Sequence, residues 1–239
     1  MEKWSLEQIA DNVHRVEEAV AEACVKAGRR REEVTLVGVT KTVEAARVNA
    51  AIAAGLTHIG ENYVQELLAK KPELHLDGVR LDLIGHLQTN KVKQVLSEVD
   101  VIQSVDSLKL AQTVSKVAAN KGLTGRVLVE VNIGDEASKT GLPREQLTEL
   151  LSQIAELPHI CVEGLMCIPP ILETEAARRK VFSEMYEMFL DIKGKKLDNI
   201  DMNTLSMGMS ADFTEAILEG STMVRVGTAL FGPRVYPAK

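Results

Sequence analysis

The run VTLVGVT at residues 34–40 is apolar at nearly every position and rich in valine. A strand in a half-exposed sheet alternates apolar with polar residues, whereas a strand in a parallel sheet is covered by helices on both faces and is apolar on both. Apolar residues at helical spacing precede this run within 5–28 and follow it within 43–54. This part of the chain therefore predicts a helix, a buried parallel strand and a crossover helix, which is the pattern of an α/β fold.

The same alternation repeats along the rest of the chain. The seven further strand-like runs are HIGENY (58–63), LDLIGH (81–86), VIQSV (101–105), RVLVEVNI (126–133), HICVEGLMCI (159–168), MNTLSM (202–207) and MVRVGTALFG (223–232). The helices predicted between them lie near 63–71, 89–97, 107–121, 143–156, 173–193 and 210–219, and Pro143 is expected to open the fourth of these. Eight strands with seven intervening helices predict a single domain over residues 1–239, a (β/α)8 TIM-type barrel with an extra N-terminal helix. A doubly wound open sheet is the alternative.

The composition is that of an ordinary globular protein and argues against several functional classes. Of the 239 residues, 45% are hydrophobic and 26% are charged, and the net charge is −6. This acidic balance gives nucleic acid or an anionic membrane little overall attraction, so we expect neither as a partner. No apolar run reaches the roughly 18 residues that span a bilayer, and the first residues lack the features of a secretory signal. The three cysteines form no C-x-x-C pair, and these features together predict a cytoplasmic protein.

Polar residues follow almost every predicted strand, at the end of a barrel where functional sites are built. Lys41 comes directly after the first strand, so its aliphatic stem leaves a buried run. A partly desolvated lysine loses affinity for its proton and becomes a nucleophile toward aldehydes. A strand-end lysine that extends its ammonium group into solvent would have the same sequence context, so spacing alone leaves both interpretations open.

Two segments after the seventh and eighth strands predict an anion site. In SMGMSADF (206–213), Ser210 is the predicted N-cap of a helix. In RVGTALFG (225–232), Gly227 lets a ligand approach the backbone, and Thr228 adds an N–H group and a hydroxyl. Barrels frequently hold a phosphate group with the loops after these two strands. A glycine turn and an ordinary helix cap are the alternative interpretation of each segment by itself.

Arg225 lies two residues before Gly227 on the eighth strand, so both face the same way. A buried guanidinium needs an acceptor, and a ring nitrogen, a ligand carboxylate or an internal salt bridge would each serve. Asn62 and His86 also follow strands, although a histidine there is more often part of the structure than a ligand contact. Lys139 lies in a polar loop beyond the fifth strand, where solvation would explain it. The sequence shows no metal-ligand spacing.

Eight segments, taken in order, resemble the pyridoxal phosphate homeostasis protein family, which is similar to the N-terminal domain of alanine racemase. They are VGVTK (37–41), IGENYVQELLAK (59–70), LIGHLQTNK (83–91), SVDSLKLA (104–111), VEVNIGDEASKTGL (129–142), GLMCIPP (164–170), LSMGMSADFTEAI (205–217) and GSTMVRVGTALFG (220–232). Because the resemblance covers essentially the whole chain, it is far more specific than any single motif.

The resemblance implies one barrel domain, residues 1–239, that binds pyridoxal 5′-phosphate (PLP). The implied cofactor-binding residues are Lys41, Asn62, Ser206, Arg225, Gly227 and Thr228. Lys41 would hold the cofactor aldehyde as a Schiff base, Asn62 would lie beside the ring, and Arg225 would face the pyridine nitrogen. The other three residues, with Ser210 as a further contact, would hold the phosphate.

The resemblance also carries an expectation about activity. An arginine opposite the pyridine nitrogen disfavours protonation there and weakens the ring as an electron sink. The racemase takes a second base from a C-terminal domain, for which this sequence leaves no room after the eighth strand. We therefore expect a monomeric protein of intracellular vitamin B6 homeostasis, without established catalytic turnover, that exchanges PLP with PLP-dependent apo-enzymes. The alternatives are a weak amino-acid racemase that uses Tyr63 as a second proton donor, and an unrelated barrel enzyme in which Lys41 forms an imine with a phosphorylated sugar.

Overall fold

The chain forms a closed barrel of parallel strands in a computed structural model that describes residues 4–134 and 140–233. The strands are β1 (Thr35–Val39), β2 (His58–Glu61), β3 (Arg80–Leu83), β4 (Val101–Val105), β5 (Gly125–Asn132), β6 (Leu142–Pro143), β7 (Ile160–Cys167), β8 (Ile200–Ser206) and β9 (Met223–Val226). Neighbouring strands follow the order β4-β3-β2-β1-β9-β8-β7-β5, and pairing of β4 with β5 closes the ring of eight. The two-residue strand β6 pairs only with the end of β5. The predicted barrel is confirmed, because a doubly wound sheet would have two open edges.

Helices connect the strands on the outside of the barrel. They are α1 (Leu6–Lys26), α2 (Ala45–Ala53), α3 (Val64–Lys70), α4 (Val92–Val95), α5 (Leu108–Lys121), α6 (Leu147–Ala155), α7 (Glu175–Lys195), α8 (Phe213–Leu218) and α9 (Thr228–Phe231). The extra N-terminal helix α1 begins with a capping box formed by Ser5 and Gln8, and it packs against α2, α8 and α9. Within the described ranges, no helix combines the length and the apolar character needed to cross a membrane.

Three local predictions at element ends were wrong. The run predicted as a strand over 223–232 stops at Val226 and continues as α9, because a short apolar run fits a strand and a buried helix equally well. Ser210 is not the N-cap of α8, which begins later with Asp212 at that position. Pro143 does not open a helix, since it lies in β6 and a short 3₁₀ turn separates it from α6.

The barrel has two differently composed layers. Leu81, Leu83 and Ile102 belong to the main apolar core, which lies between the strands and the helices. Asp82 and Gln103 alternate with these residues along β3 and β4, so they face the barrel interior, where they are buried. The interior therefore contains polar side chains at positions where a barrel is usually filled by branched apolar ones.

Candidate functional site

A cavity of about 710 Å³ opens at the carboxyl ends of the strands. Of the residues predicted from the sequence to contact a ligand, those that line it are Lys41, Asn62, His86, Ser210, Arg225, Gly227 and Thr228. Ser206 is not among the lining residues. The barrel thus brings together side chains that are far apart in the sequence, as expected for the mouth of this fold.

Lys41 lies in the turn that follows β1 and is half-buried at the cavity wall. The backbone on both sides of it is held in place. The Thr40 amide donates to the Gly60 carbonyl at 3.0 Å, and the Thr42 amide donates to Glu66 Oε1 at 2.5 Å. Thr42 has a φ of 62°, in the left-handed region that a β-branched residue rarely adopts. This conformation turns the chain sharply just after Lys41.

A buried ionic group, here called the Lys70 cluster (Glu61, Glu66 and Lys70), supports this turn from behind. Lys70 Nζ donates to the Thr40 carbonyl at 2.8 Å, to Glu61 Oε1 at 2.5 Å and to Glu66 Oε1 at 2.9 Å. Burial raises the pKa of Glu61, while the neighbouring Lys70 acts to lower it. Sequence analysis missed this cluster, although the four-residue spacing of Glu66 and Lys70 on one helix is a recognisable ion-pair signal.

Arg225 lies on β9 with only 4% of its surface exposed, at the inner end of the cavity. Its Nη1 donates to Ser206 Oγ at 2.6 Å, and its Nη2 donates to the Cys167 carbonyl at 2.8 Å. Burial lowers the pKa of Arg225, but a guanidinium starts so high that it stays protonated. Both partners are neutral, so the charge of Arg225 is held by dipoles rather than by a direct ion pair.

Ser206 is fully buried beneath Arg225. Its hydroxyl accepts from Arg225 and donates to Gln103 Oε1 at 2.8 Å. A serine hydroxyl has a single proton to donate, so this one has none left for a phosphate group. In this arrangement the Ser206 hydroxyl holds Arg225, and the phosphate contact implied for it stays a prediction.

Ser210 joins the two loops from which a phosphate site was predicted. Its Oγ accepts from the amides of Gly227 at 3.1 Å and Ala229 at 3.3 Å, so it caps the start of α9 rather than of α8. Its own O–H proton is not used in either contact. The Thr228 amide has no protein acceptor in the described part of the chain. The two loops therefore present hydrogen-bond donors to the cavity, which is what an anion requires.

Comparisons with known proteins agree with this arrangement. The family described as alanine racemase, N-terminal domain, matches residues 5–235. The pyridoxal phosphate homeostasis protein of Pseudomonas aeruginosa is 41% identical over 230 residues, which cover 96% of this chain and 97% of that protein. This chain belongs to the pyridoxal phosphate homeostasis protein family. The family resemblance predicted from eight sequence segments is thereby confirmed.

Solved structures of similar proteins have the same fold. A protein of unknown function from Bifidobacterium adolescentis is 38% identical and has a TM-score of 0.90, with 95% of each chain covered. PipY of Synechococcus elongatus, solved with PLP bound, is 33% identical and has a TM-score of 0.78, with 89% of this chain and 100% of that chain covered.

Further titratable groups lie in or near the cavity. Glu130 lines the cavity from β5, burial raises its pKa, and Thr140 Oγ1 donates to it at 2.7 Å. His86 is exposed, and its Nδ1 lies 3.6 Å from Asp106 Oδ2. Sequence analysis missed Glu130, although a lone carboxylate in the apolar run RVLVEVNI was a visible signal. Lys139 falls outside the described residues.

No group of three metal-ligating side chains is found within residues 4–134 and 140–233. Burial raises the pKa of the Cys167 thiol to about 12, so this thiol stays protonated at neutral pH.

Proposed function

We propose that this protein binds PLP as a Schiff base on Lys41 and serves in intracellular PLP homeostasis without turning over a substrate. The observation that carries the proposal is that a strand-end lysine, two loops that offer hydrogen-bond donors and a buried arginine share one cavity. A cofactor with an aldehyde, a phosphate and a ring nitrogen needs these three partners. The family name and the PLP-bound structure of PipY support the same proposal.

The role of Lys41 is to present a nucleophilic amine at a fixed place. Condensation of its ε-amine with an aldehyde forms a carbon–nitrogen double bond and releases one water molecule. The amine must lose its proton before it attacks the aldehyde carbon. The Lys70 cluster anchors the Thr40 carbonyl and the Thr42 amide, so the turn does not have to be ordered when the bond forms.

The phosphate end would be held by Ser210 and Thr228. The Ser210 hydroxyl keeps its proton available, and Thr228, which offers an amide and a hydroxyl, lines the same cavity. Hydrogen bonds from neutral donors to an anion are stronger than bonds between neutral groups. Gly227 adds no side chain between the loop and the ligand, and Asn62 would lie beside the ring.

Arg225 would face the pyridine nitrogen as a donor that stays protonated. When bound, PLP supplies an aldehyde for the imine and a ring whose power to accept electrons depends on protonation of its nitrogen. A guanidinium donates its proton to that nitrogen as a hydrogen bond without giving it up. The ring is then a poor electron sink, which suits a carrier better than a racemase.

The weak amino-acid racemase remains the second candidate because Tyr63 lines the same cavity. Two-base racemisation needs a proton donor and an acceptor on opposite faces of the substrate carbon. Tyr63 is 57% exposed, and no residue within 4–134 or 140–233 holds its hydroxyl by a hydrogen bond. Turnover of L- or D-alanine well above the rate with PLP alone would favour this candidate over the carrier.

We further infer that the protein acts as a monomer in the cytoplasm and delivers PLP to PLP-dependent apo-enzymes. The three unpaired cysteines suit a reducing compartment. The half-exposed position of Lys41 leaves the imine within reach of an amine that would carry the cofactor away.

The experiment is an absorption spectrum of the purified protein after incubation with PLP. We expect a band near the edge of the visible range that borohydride abolishes. Lys41→Ala should lack this band yet stay folded, because a side chain at the barrel mouth contributes little packing. Lys91→Ala is the matched control, since Lys91 lines the same cavity. A band that persists in Lys41→Ala, or that disappears equally in both variants, would contradict the proposal.

A further inference from the structure

A continuous line of hydrogen bonds crosses the barrel interior from β3 to the cavity. Gln103 Nε2 donates to Asp82 Oδ2 at 2.7 Å, Ser206 Oγ donates to Gln103 Oε1 at 2.8 Å, and Arg225 Nη1 donates to Ser206 Oγ at 2.6 Å. We call these four residues the Asp82 chain. Three of its members are at most 1% exposed, and Arg225 is 4% exposed. Of these four residues, only Arg225 is a proposed contact of the cofactor.

The two charged ends fix the direction of every bond in the Asp82 chain. A guanidinium only donates and a carboxylate only accepts. Ser206 must therefore accept from Arg225 and pass its own proton to Gln103, whose amide group must then face Asp82. Each dipole in the line points the same way, and aligned hydrogen bonds strengthen one another in a medium of low dielectric constant.

Asp82 lacks the partners that would explain its burial by local structure alone. Its only hydrogen bond is the one from Gln103, and its second oxygen, Oδ1, is buried with no partner in the described part of the chain. An isolated buried carboxylate is strongly unfavourable. Arg225 is a buried cation whose hydrogen-bond partners are neutral oxygens, and the carboxylates whose charges act on it are Glu130 and Asp212.

We propose that Asp82 anchors the far end of this line of hydrogen bonds, and that Gln103 and Ser206 connect it to Arg225 so that the guanidinium is held in one orientation toward the cavity. Asp82, Gln103 and Ser206 are thus positioning residues for the ring-nitrogen contact, a statement that rests on the proposed function. The consequence is that a residue on the far side of the barrel interior sets how PLP is held.

The Asp82 chain is also sensitive to pH at Asp82, the member farthest from the cavity. Burial raises the pKa of Asp82 to about 6, while the Gln103 hydrogen bond and Arg80 act to lower it and Asp100 and Glu163 act to raise it. A protonated Asp82 donates as well as accepts, so it no longer fixes which end of the Gln103 amide faces it. The orientation of Arg225 should then loosen as the pH falls through this range.

The test compares two substitutions within the Asp82 chain with a control substitution elsewhere in the barrel interior. Gln103→Leu breaks the line with a side chain of similar size, and Asp82→Asn keeps an acceptor but removes the charge. Met166→Leu is the control, because Met166 is equally buried in the barrel interior but is not a member of the Asp82 chain. Asp82→Asn removes a buried charge and should fold even if Gln103→Leu does not.

The first readout uses cofactor-free protein, in which NMR follows exchange of the Arg225 guanidinium protons. We expect exchange about tenfold faster in Gln103→Leu, because the Ser206 hydroxyl loses the acceptor that fixes its orientation toward Arg225. The wild-type signal should also change with pH around the titration of Asp82, and Asp82→Asn should abolish that change. Met166→Leu should match the wild type within about twofold, as for a volume-conserving core change.

The second readout is the PLP dissociation constant together with the pH dependence of the imine band. We expect PLP to bind about tenfold more weakly to Gln103→Leu, with the cofactor still attached to Lys41. Unchanged proton exchange, affinity and pH profile in Gln103→Leu and Asp82→Asn would overturn the inference. If the wild type carries no cofactor on Lys41, the proposed function fails. The proton exchange in cofactor-free protein would still test whether the Asp82 chain orients Arg225.

Discussion

The Lys70 cluster and the Asp82 chain are both buried and polar, yet they stabilise the site in opposite ways. In the cluster, cation and carboxylates touch directly, and Lys70 also holds the backbone beside Lys41. In the Asp82 chain, the neutral side chains of Gln103 and Ser206 separate the charges of Asp82 and Arg225. In a direct pair, the attraction between the charges offsets much of their desolvation penalty, whereas charges separated by two neutral groups recover less of it. We therefore expect the Lys70 cluster to stabilise the fold. The Asp82 chain should serve cofactor binding while it lowers the stability of the fold.

The largest effect is expected from breaking the cluster with Lys70→Met. This change leaves Glu61 as an unpaired buried carboxylate, and removal of one partner of a buried pair destabilises a protein by about 3–5 kcal/mol. Urea unfolding at pH 8 measures the loss. Burial raises the pKa of Glu61, so its protonation at lower pH should reduce the loss. The matched control is Lys91→Met, for which a loss as large as that of Lys70→Met would contradict the account.

Asp82→Asn is expected to increase the stability of the fold, whereas Lys70→Met decreases it. The pKa of Asp82 rises from 3.8 to about 6 on folding, so the ionised form is the one that folding disfavours. Above pH 6 the carboxylate is charged in both states, and replacing it should stabilise the fold by up to about 3 kcal/mol.

This gain should disappear as the pH falls below about 4, where both states are protonated. Thermal unfolding at pH 8 and pH 4 provides the measurement, with the exposed Asp77→Asn as the control. A variant that is less stable than the wild type at pH 8 would show that Asp82 is a stabilising ionic group, like Lys70.

A smaller effect, on PLP affinity, is expected from Ser210→Ala. Ser210 belongs to neither the Lys70 cluster nor the Asp82 chain. The substitution removes the acceptor shared by the Gly227 and Ala229 amides and the hydroxyl proposed to face the phosphate. We expect PLP to dissociate about tenfold more readily, with Lys41 still modified, since hydrogen bonds to charged groups contribute about 1.5–3 kcal/mol. Equilibrium dialysis measures the change, and Ser152→Ala on α6 serves as the control. Equal retention by both variants would remove Ser210 from the phosphate site.

The smallest effect is expected from Tyr63→Phe. Because Tyr63 is exposed and belongs to neither network, PLP affinity should change by less than about twofold, within the range of ordinary surface substitutions. The imine band and any background reaction with alanine should also be unchanged. A loss of alanine racemisation in this variant alone would support the enzyme alternative.

The sequence was sufficient to predict the barrel because apolar runs and helical patterns are local signals. It was also sufficient to place Lys41, Asn62 and Arg225 at the cavity, since the carboxyl ends of parallel strands all meet at one rim. The family resemblance added the cofactor and the roles of these residues.

The two polar networks could not be predicted in the same way. Gln103 and Ser206 lie 103 residues apart, and whether they meet depends on the register of the strands and on where the ring closes. The family resemblance implied a phosphate contact for Ser206, and alternation along β8 also places its hydroxyl against Arg225, a contact that the sequence did not indicate. Ser210 was predicted to cap α8, yet the neighbouring loop supplies the amides that it accepts from. Contacts between loops are not encoded in either segment alone.

The central claim is the covalent attachment of PLP to Lys41, and mass spectrometry of the borohydride-reduced, PLP-loaded protein tests it most directly. The account predicts one reduced pyridoxyl group per chain, on the peptide that contains Lys41. A reduced group on Lys91 or another lysine, or no stable adduct at all, would contradict it.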